Sequence, residues 1–261
     1  MRIEKFQDFL EKDLAWRKME ISQLFMILNS AEAKDIVGKA MILLLYAHWE
    51  GFIKKSSKYY LQYVSEKRVA LNALTRNFEA IMLKKYAREC IDKDSKNLAK
   101  EFAFMDAQYK RSNKPFHVDI DVNNEFDDEL IDTQHNLSSK VLRGIIQIIG
   151  INYNSAIKTR ETFLDVNLLK HRNVIGHGNQ IKPIETEISP LDSDRIGELK
   201  NFVVSMLDYY AEVLLKYVEE ELYLAVNTEK REAFEIAQNR KLATKLSILE
   251  SRENKRGGLG I

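Results

Sequence analysis

Three polar side chains within residues 169–178 carry the strongest chemical signal in this chain: Arg172, Asn173 and His177. An arginine side chain is a permanent planar cation, and it binds phosphate oxygens through paired hydrogen bonds. Histidine changes its charge near neutral pH, so it can both accept and donate a proton. Held close together, these two groups could cleave a phosphodiester bond without a metal ion.

The spacing of Arg172 and His177 constrains how they could meet. On a regular α-helix, residues five positions apart are separated by about 140° in projection, because each residue turns the helix by about 100°. The helix could instead end at Gly176, where a left-handed residue would turn the chain and carry His177 toward Arg172. Alternatively, two subunits related by a twofold axis could each supply one pair. Both arrangements can operate at once.

Two neighbouring ionisable residues are candidates for supporting roles. Glu50 occurs in a strongly apolar segment, where a carboxylate needs a partner. Arg172 is one candidate partner, and an exposed or helix-pairing glutamate is the alternative. His171 could assist the site, but a place on the solvated helix face is favoured. His171 and His177 lack a third ligand and a carboxylate at a suitable spacing, so no metal site is predicted.

Five residues are candidate RNA contacts, and three of them share one segment. Lys54, Lys58 and Tyr59 lie where lysines alternate with tyrosines, a pattern that could hold single-stranded RNA by charge and stacking. The alternative is a core face of tyrosines with a solvated face of lysines. Lys170 and Lys182 flank the Arg172 segment and are included because a cation there could bind phosphate.

The composition indicates a cytoplasmic helical protein. Of 261 residues, 45% are hydrophobic and 30% charged, and only 10 Gly and 3 Pro occur, which favours long helices. The net charge of +1 is low for a non-specific nucleic-acid binder, so RNA contacts would have to be local. A single cysteine excludes an internal disulfide framework. We expect no signal peptide, because the N-terminal residues are charged from the start. We expect no membrane span, since the apolar run 40–47 is far too short. No cofactor is expected either.

Apolar residues recur at three- and four-residue steps along most of the chain, which predicts a single all-α domain over residues 1–261. Residues 1–30 form an N-terminal helix, 31–226 a bundle with an insertion at about 67–135, and 227–261 a charged helix and tail. The insertion contains two shorter helices with a break near 92–95, and then Phe116–Val122 as a short strand or an extended loop. Residues 119–132 carry seven acidic residues and no basic one. They are interpreted as a solvated loop, with an autoinhibitory or partner-binding segment as the alternative.

The second half of the predicted bundle contains the candidate site. Asn136 is the predicted N-cap of a helix that Gly150 closes. The next helix carries Arg172 and is marked by apolar residues on one side, Phe163, Val166, Leu169 and Val174. A long helix from about 194 to about 225 follows.

Residues 172–177, Arg-Asn-Val-Ile-Gly-His, resemble the motif of HEPN (higher eukaryotes and prokaryotes nucleotide-binding) ribonucleases: arginine, a polar residue, three residues, histidine. The flanking Leu169 and Gly178 and the segments 45–61 and 136–150 are similar as well. The resemblance covers roughly residues 31 to 226. It is greatest to the HEPN-like nucleases of bacterial defence and toxin–antitoxin loci.

This resemblance implies an all-α, HEPN-like bundle of long antiparallel helices with an irregular acidic insertion. It implies metal-independent RNA cleavage in which a ribose 2′-hydroxyl attacks the adjacent phosphorus, leaving a 2′,3′-cyclic phosphate and a 5′-hydroxyl. His177 would be the general base or acid, Arg172 would neutralise charge on the phosphorane, and Asn173 would orient a partner or a phosphate. The family also implies a homodimer with a composite active site.

The expected biology is a toxin or antiphage effector, with an antitoxin or another defence-system protein as a partner. Some HEPN toxins carry a tyrosine two residues after the motif histidine, which their antitoxin modifies. Asn179 occupies that position here, so silencing by that modification is not inferred. The alternative function is a catalytically silent HEPN module that binds RNA, nucleotide or a partner protein. A metal-dependent nuclease is a third hypothesis, and it predicts loss of activity in EDTA.

Overall fold

The computed structural model describes residues 1–90, 98–124, 127–134, 136–178 and 192–257. Within these ranges the chain is all-α, as predicted, and its only β pairings are the isolated bridges Ala70–Pro115 and Leu74–Leu224. Phe116–Val122 is therefore an extended loop. The α-helices are α1 Ile3–Ser30, α2 Lys34–Glu66, α3 Arg76–Cys90, α4 Ala99–Arg111, α5 Ser139–Ile148, α6 Ser155–Lys158, α7 Glu161–Leu164, α8 His171–Gly176, α9 Ser193–Glu219 and α10 Thr228–Gly257.

The centre of the molecule is a three-helix core of α1, α2 and α9, each of which packs against the other two. Helices α1 and α2 are antiparallel: Phe6 stacks on Tyr59 near one end, and Arg17 lies against His48 further along. Helix α2 is apolar on nearly all sides because it lies between the other two. Its large side chains, including Trp49 and Phe52, are almost completely buried, and removing this apolar surface from water is the main source of stability.

The length and composition of α2 also meet the criteria for a membrane span. Its most apolar 18-residue window has a mean hydropathy of 1.3, and half of that window is buried inside the protein. The sequence-based estimate considered only the run 40–47 and so underestimated the apolar length. Packing between α1 and α9 accounts for the apolar character of α2.

The insertion between α2 and α5 packs onto the core through buried apolar residues such as Phe78, Phe116 and Ile131, and its acidic part also contacts α2. Helices α3 and α4 contact each other, and the predicted break near 92–95 lies outside the described residues. The acidic stretch was predicted to be a solvated loop, but part of it covers the lysines of α2. Asp128 lies 2.5 Å from Lys54 Nζ, and the Asn124 carbonyl accepts a hydrogen bond from Lys58 at 3.1 Å.

Two local predictions around the second half of the bundle need correction, and a third is confirmed. The N-cap of α5 is Ser138 rather than Asn136: the Ser138 hydroxyl accepts a hydrogen bond from the Val141 N–H. Gly150 closes the helix as predicted, in the left-handed conformation with φ +76°.

The second correction concerns which side of the Arg172 helix is buried. Residues Asp165–Lys170 form a π-helical segment between α7 and α8. The most buried residues are Leu164, Leu168 and His171, whereas the predicted apolar face is only partly buried. A π-helical turn inserts an extra residue and so rotates the following residues relative to a continuous α-helix. A 3.6-residue pattern could not predict that rotation.

Candidate active site

The position of Arg172 is set by the π-helical segment and by α8. π-Helical turns are rare, and they are frequent at functional sites. Here the segment is held by Asp165, whose carboxylate accepts hydrogen bonds from the Ser139 N–H and hydroxyl at 2.9 and 2.6 Å. The start of α5 is therefore fixed to the element that precedes Arg172. Helix α8 packs directly against α2.

The Arg172 guanidinium is partly buried among three neutral groups. Its Nη1 donates hydrogen bonds to Asn136 Oδ1 at 2.7 Å and to Asn173 Oδ1 at 3.0 Å. Its carbon lies 4.6 Å from the centre of the Tyr46 ring, a cation–π contact. Among the described residues, no carboxylate lies within ion-pair distance of Arg172, and Nε and Nη2 make no hydrogen bond. Within the part of the chain that the structure describes, the charge is positioned but not neutralised.

Tyr46 connects the arginine to α5 and to Glu50. The Tyr46 hydroxyl accepts a hydrogen bond from the buried Leu137 N–H at 2.7 Å. Burial raises the pKa of Tyr46 well above its ordinary value, and the nearby Glu50 carboxylate adds to this shift. The predicted direct pairing of Glu50 with Arg172 is therefore wrong: Glu50 interacts with the hydroxyl of the tyrosine on which Arg172 stacks.

His177 lies at the exposed end of α8. Its φ of −87° and ψ of 6° are close to helical, and its N–H donates to the Asn173 carbonyl at 3.0 Å. Gly176 is helical, and the left-handed residue is Gly178, with φ +71°. The predicted turn at Gly176 is therefore wrong, and His177 stays on a different face of the helix from Arg172. Within the described residues its imidazole makes no hydrogen bond or ion pair.

His171 is a core residue rather than a solvated one. It is 1% exposed, and its Nδ1 lies 3.0 Å from the Val166 carbonyl oxygen. The π-helical rotation accounts for this burial, because it places His171 on the same inward face as Leu168. His171 therefore holds α8 against the core and does not present its ring to solvent.

The structure places the candidate RNA contacts in different environments. Tyr59 is buried and stacks on Phe6 with ring centroids 5.6 Å apart, so its predicted role in stacking RNA is wrong. Lys58 is 2% exposed, and its solvent-facing role is wrong as well. Lys54 is paired with Asp128 beneath the acidic stretch, and Lys170 is exposed next to α8. Lys182, like Asn179, lies outside the described residues.

Two residues that position Arg172 were not predicted. Asn136 was assigned to a helix cap, because asparagine is a common N-cap residue. Tyr46 falls within the segment 45–61, in which no residue was predicted to contact Arg172. No spacing rule links either residue to Arg172, since Asn136 lies 36 positions earlier in the chain. The polar neighbours of Arg172 become visible only when α2, α5 and α8 are packed together.

Comparison with known proteins identifies the family. A family profile described as MAE_28990-like HEPN matches residues 6–223, which include most of α1 and most of the described bundle. The resemblance noted above began at about residue 31, so the family extends further toward the N-terminus than predicted. Neither the curated proteins nor the solved structures give a significant match to this chain. The chain therefore belongs to the HEPN superfamily, and its membership indicates a nuclease-like or RNA-related function.

Proposed function

We propose that this HEPN protein is a metal-independent endoribonuclease in which Arg172 and His177 act on one phosphodiester. The observation that carries the proposal is the environment of Arg172. Two amide oxygens and a tyrosine ring fix its guanidinium, and no carboxylate of the described residues neutralises it. A structural arginine is usually paired with a carboxylate when it is partly buried, because an unpaired charge is costly there. A phosphate would supply the missing anion.

The proposed chemistry needs one proton acceptor, one proton donor and one anion-binding group. The ribose 2′-hydroxyl loses its proton to the base, and its oxygen attacks the adjacent phosphorus. The bond from phosphorus to the 5′-oxygen breaks, and that oxygen gains a proton. The products are a 2′,3′-cyclic phosphate and a 5′-hydroxyl. His177 handles a proton in this scheme, and Arg172 stabilises the charge that develops on the phosphorane oxygens.

The distance between the two residues along α8 is compatible with a shared substrate. Five residues correspond to an axial rise of about 7.5 Å, and the two Cα atoms are then about 9 Å apart on a regular helix. Arg172 is partly buried, and His177 is exposed directly after the last residue of α8. A phosphodiester lying across the end of the helix could contact both groups, or a second subunit could supply one of them.

The exposed apolar surface next to the site favours a second copy of the chain as that partner. Met26 and Ile27 on α1 and Ile36 and Leu43 on α2 are 38–68% exposed. Leu43 is about one helical turn from Tyr46, on which Arg172 stacks. A twofold copy would bury both patches at once and bring two Arg172 sites to the edges of one interface. We therefore propose a homodimer with a composite site.

The cleavage experiment uses purified protein in EDTA with total RNA and end mapping. The wild type should cleave RNA and leave 2′,3′-cyclic phosphate ends. In Arg172→Ala and in His177→Ala the rate of cleavage should fall by about a thousandfold or more. Arg240→Ala and His117→Ala are matched controls, since both side chains are exposed and neither contacts Arg172. Undiminished cleavage in either site variant would remove that residue from the mechanism, and loss of activity in EDTA would favour a metal-dependent nuclease.

The composite site is tested by mixing the two inactive variants. If one subunit supplies Arg172 and the other His177, half of the dimers are heterodimers with one intact site, and about a quarter of the activity returns. Sites built within one subunit would recover none. Leu43→Glu should convert the dimer into a monomer by sedimentation, whereas Ile248→Glu, on exposed surface of α10, should not.

The cellular role that fits this activity is that of a toxin or antiphage effector held in check by a partner protein. The competing function is a catalytically silent module. The separation of His177 from Arg172 on α8 is the observation that favours that alternative. RNA binding without cleavage of any RNA by the wild type would establish it.

A further inference from the structure

A second candidate binding site lies beside Arg172, between α1, α2 and the acidic stretch. It is an open cleft of about 750 Å³. Ligand-binding clefts in proteins usually have about 300–1,000 Å³, so one nucleotide fits within it. Its walls come from Trp16 and Arg17 on α1, from α2 between residues 47 and 58, and from residues 122–124, Asp128 and 132–134. None of these residues takes part in the chemistry proposed for Arg172 and His177.

The floor of the cleft carries charged groups of both signs. Arg17, Lys54, Lys55 and Lys58 line it, against the carboxylates of Glu50, Asp128 and Asp132. Lys58 is buried, and its ammonium group donates a hydrogen bond to the Asn124 carbonyl at 3.1 Å. Burial lowers the pKa of Lys58, and the neighbouring Lys54 lowers it further. Asp13 pairs with Arg17 at 2.6 Å and with Lys55 at 3.2 Å, so a bound phosphate would exchange for carboxylates at these cations.

The exposed indole of Trp16 lies at the rim of the cleft. Trp16 is 45% exposed, and its Nε1 donates to Glu20 at 3.1 Å, which fixes the indole plane. The Arg17 guanidinium lies over the same ring, 5.0 Å from its centroid. A nucleobase can stack on such an exposed indole. The amides of Asn123, Asn124 and Gln134 also line the cleft and could face base edges.

The cleft and the Arg172 site share two structural elements. Glu50 lines the cleft and interacts with Tyr46, on which Arg172 stacks. On the opposite wall, Gln134 has φ +51°, a conformation that costs energy for a residue other than glycine. Two residues later Asn136 holds Arg172 at 2.7 Å. A strand of RNA that reaches Arg172 would therefore have its neighbouring nucleotide at this cleft.

We propose that the cleft is a subsite for one nucleotide of single-stranded RNA adjacent to the scissile phosphate, with its base on Trp16 and its phosphate above Lys54 and Lys55. The proposal rests on the ribonuclease function proposed above. In this arrangement the RNA phosphate competes with Asp128 for Lys54, which the carboxylate approaches to 2.5 Å. The acidic stretch then lowers the affinity for RNA without blocking the cleft.

The test measures binding of a short 2′-O-methyl RNA, which cannot undergo attack by a 2′-hydroxyl. The chain has two tryptophans, and Trp49 is only 1% exposed, so RNA that stacks on Trp16 should quench the exposed part of the fluorescence. The quenching should be absent in Trp16→Phe if it originates at this residue. Fluorescence anisotropy of labelled RNA should show about tenfold weaker binding for Trp16→Ala, a typical loss for one base–aromatic stack.

Two further variants probe the volume and the charge of the cleft. Ala47→Phe should narrow the cleft and weaken binding about tenfold, while Ala80→Phe, at an exposed position on α3, should leave binding unchanged. Asp128→Asn should tighten binding, because it removes a competing carboxylate from Lys54, and Glu129→Gln is its neighbouring control. Wild-type affinity in Trp16→Ala and Ala47→Phe, with no fluorescence change in the wild type, would overturn the subsite.

Failure of the subsite and failure of the ribonuclease proposal give different results. Quenching by RNA in a wild-type protein that cleaves no RNA supports the cleft and removes the ribonuclease function. Cleavage that depends on His177, with an unchanged KM in Trp16→Ala and Ala47→Phe, retains the ribonuclease function and removes the subsite.

Discussion

Asn136 accepts a hydrogen bond from Arg172 Nη1 at 2.7 Å, and so joins the segment before α5 to α8 across 36 positions of the chain. The acceptor is an uncharged amide oxygen. It restricts the guanidinium without neutralising it, so the charge stays available for an anion. A carboxylate at the same position would form a permanent ion pair with Arg172. The pair therefore distinguishes an arginine kept for a ligand from one used only to hold the fold.

Substituting Asn136 tests this distinction. Asn136→Ala frees the guanidinium to move, and kcat for RNA cleavage should fall roughly tenfold to a hundredfold with a smaller change in KM. Asn136→Asp keeps the size of the side chain but pairs the charge, and it should weaken RNA binding as well as reduce kcat. Steady-state kinetics and RNA anisotropy measure both effects. Asn72→Asp, which makes the same change at an exposed site, is the control. Wild-type kinetics in Asn136→Asp would contradict the assignment.

The sequence was informative about the long helices and uninformative about the contacts of Arg172. Helices α1, α2 and α9 follow from apolar spacing alone, because each buries a continuous face. The residues around Asn136 show why a local rule fails. Asn136 and Ser138 are both good N-cap residues, and only the turn of the chain decides between them. Ser138 caps α5, and this leaves the Asn136 side chain free to face α8.

The glycines that follow Arg172 give a second prediction. Gly176 is helical and a Cβ added there meets no atom within 4 Å, so Gly176→Ala should be neutral or stabilise the protein by up to about 1 kcal/mol. Gly178 has φ +71°, and Gly178→Ala should cost about 1–2 kcal/mol. Urea unfolding measures both. A large loss in Gly176→Ala with none in Gly178→Ala would mean that the chain turns one residue before His177.

The two glycines also show what the sequence motif could not predict, namely which of them turns the chain. Gly176 directly precedes His177 and Gly178 directly follows it, and either glycine could adopt a left-handed conformation. The π-helical segment before α8 sets the phase of the helix, and with it the point where the chain leaves the core. That phase depends on the tertiary contacts of Asp165 with Ser139, which lies 26 positions earlier.

Tyr46 should be important for stability as well as for the site. In Tyr46→Phe the ring under Arg172 remains, but the buried Leu137 N–H loses its acceptor, which should cost about 1–3 kcal/mol of unfolding free energy. Cleavage by the folded variant should change little, since the cation–π contact persists. Urea unfolding and RNA cleavage below the transition check the two parts. Tyr109→Phe, at a residue that is 84% exposed, should have no effect on stability. Equal stabilities of the two variants would show that the hydroxyl contributes nothing.

The buried environment of His48 predicts how the free energy of unfolding depends on pH. Its side chain is almost fully buried between α1 and α2, with Arg17 Nη1 3.5 Å from Nδ1 and a Glu20 oxygen 3.1 Å from Nε2. Burial lowers the pKa of His48 below its ordinary value of 6.5, the positive charge of Arg17 lowers it further, and Glu20 and Asp13 oppose the shift in part. The unfolded chain therefore binds the proton more tightly than the folded protein does.

The contribution of neutral His48 to stability should be fully present above about pH 6.5 and should be lost as the pH falls below that value toward the folded-state pKa. His48→Gln removes the titrating group, so the difference in unfolding free energy between wild type and this variant should shrink or reverse between pH 8 and pH 5. Urea denaturation at a series of pH values measures it. A difference between wild type and His48→Gln that stays constant across this range would mean that His48 does not couple folding to protonation.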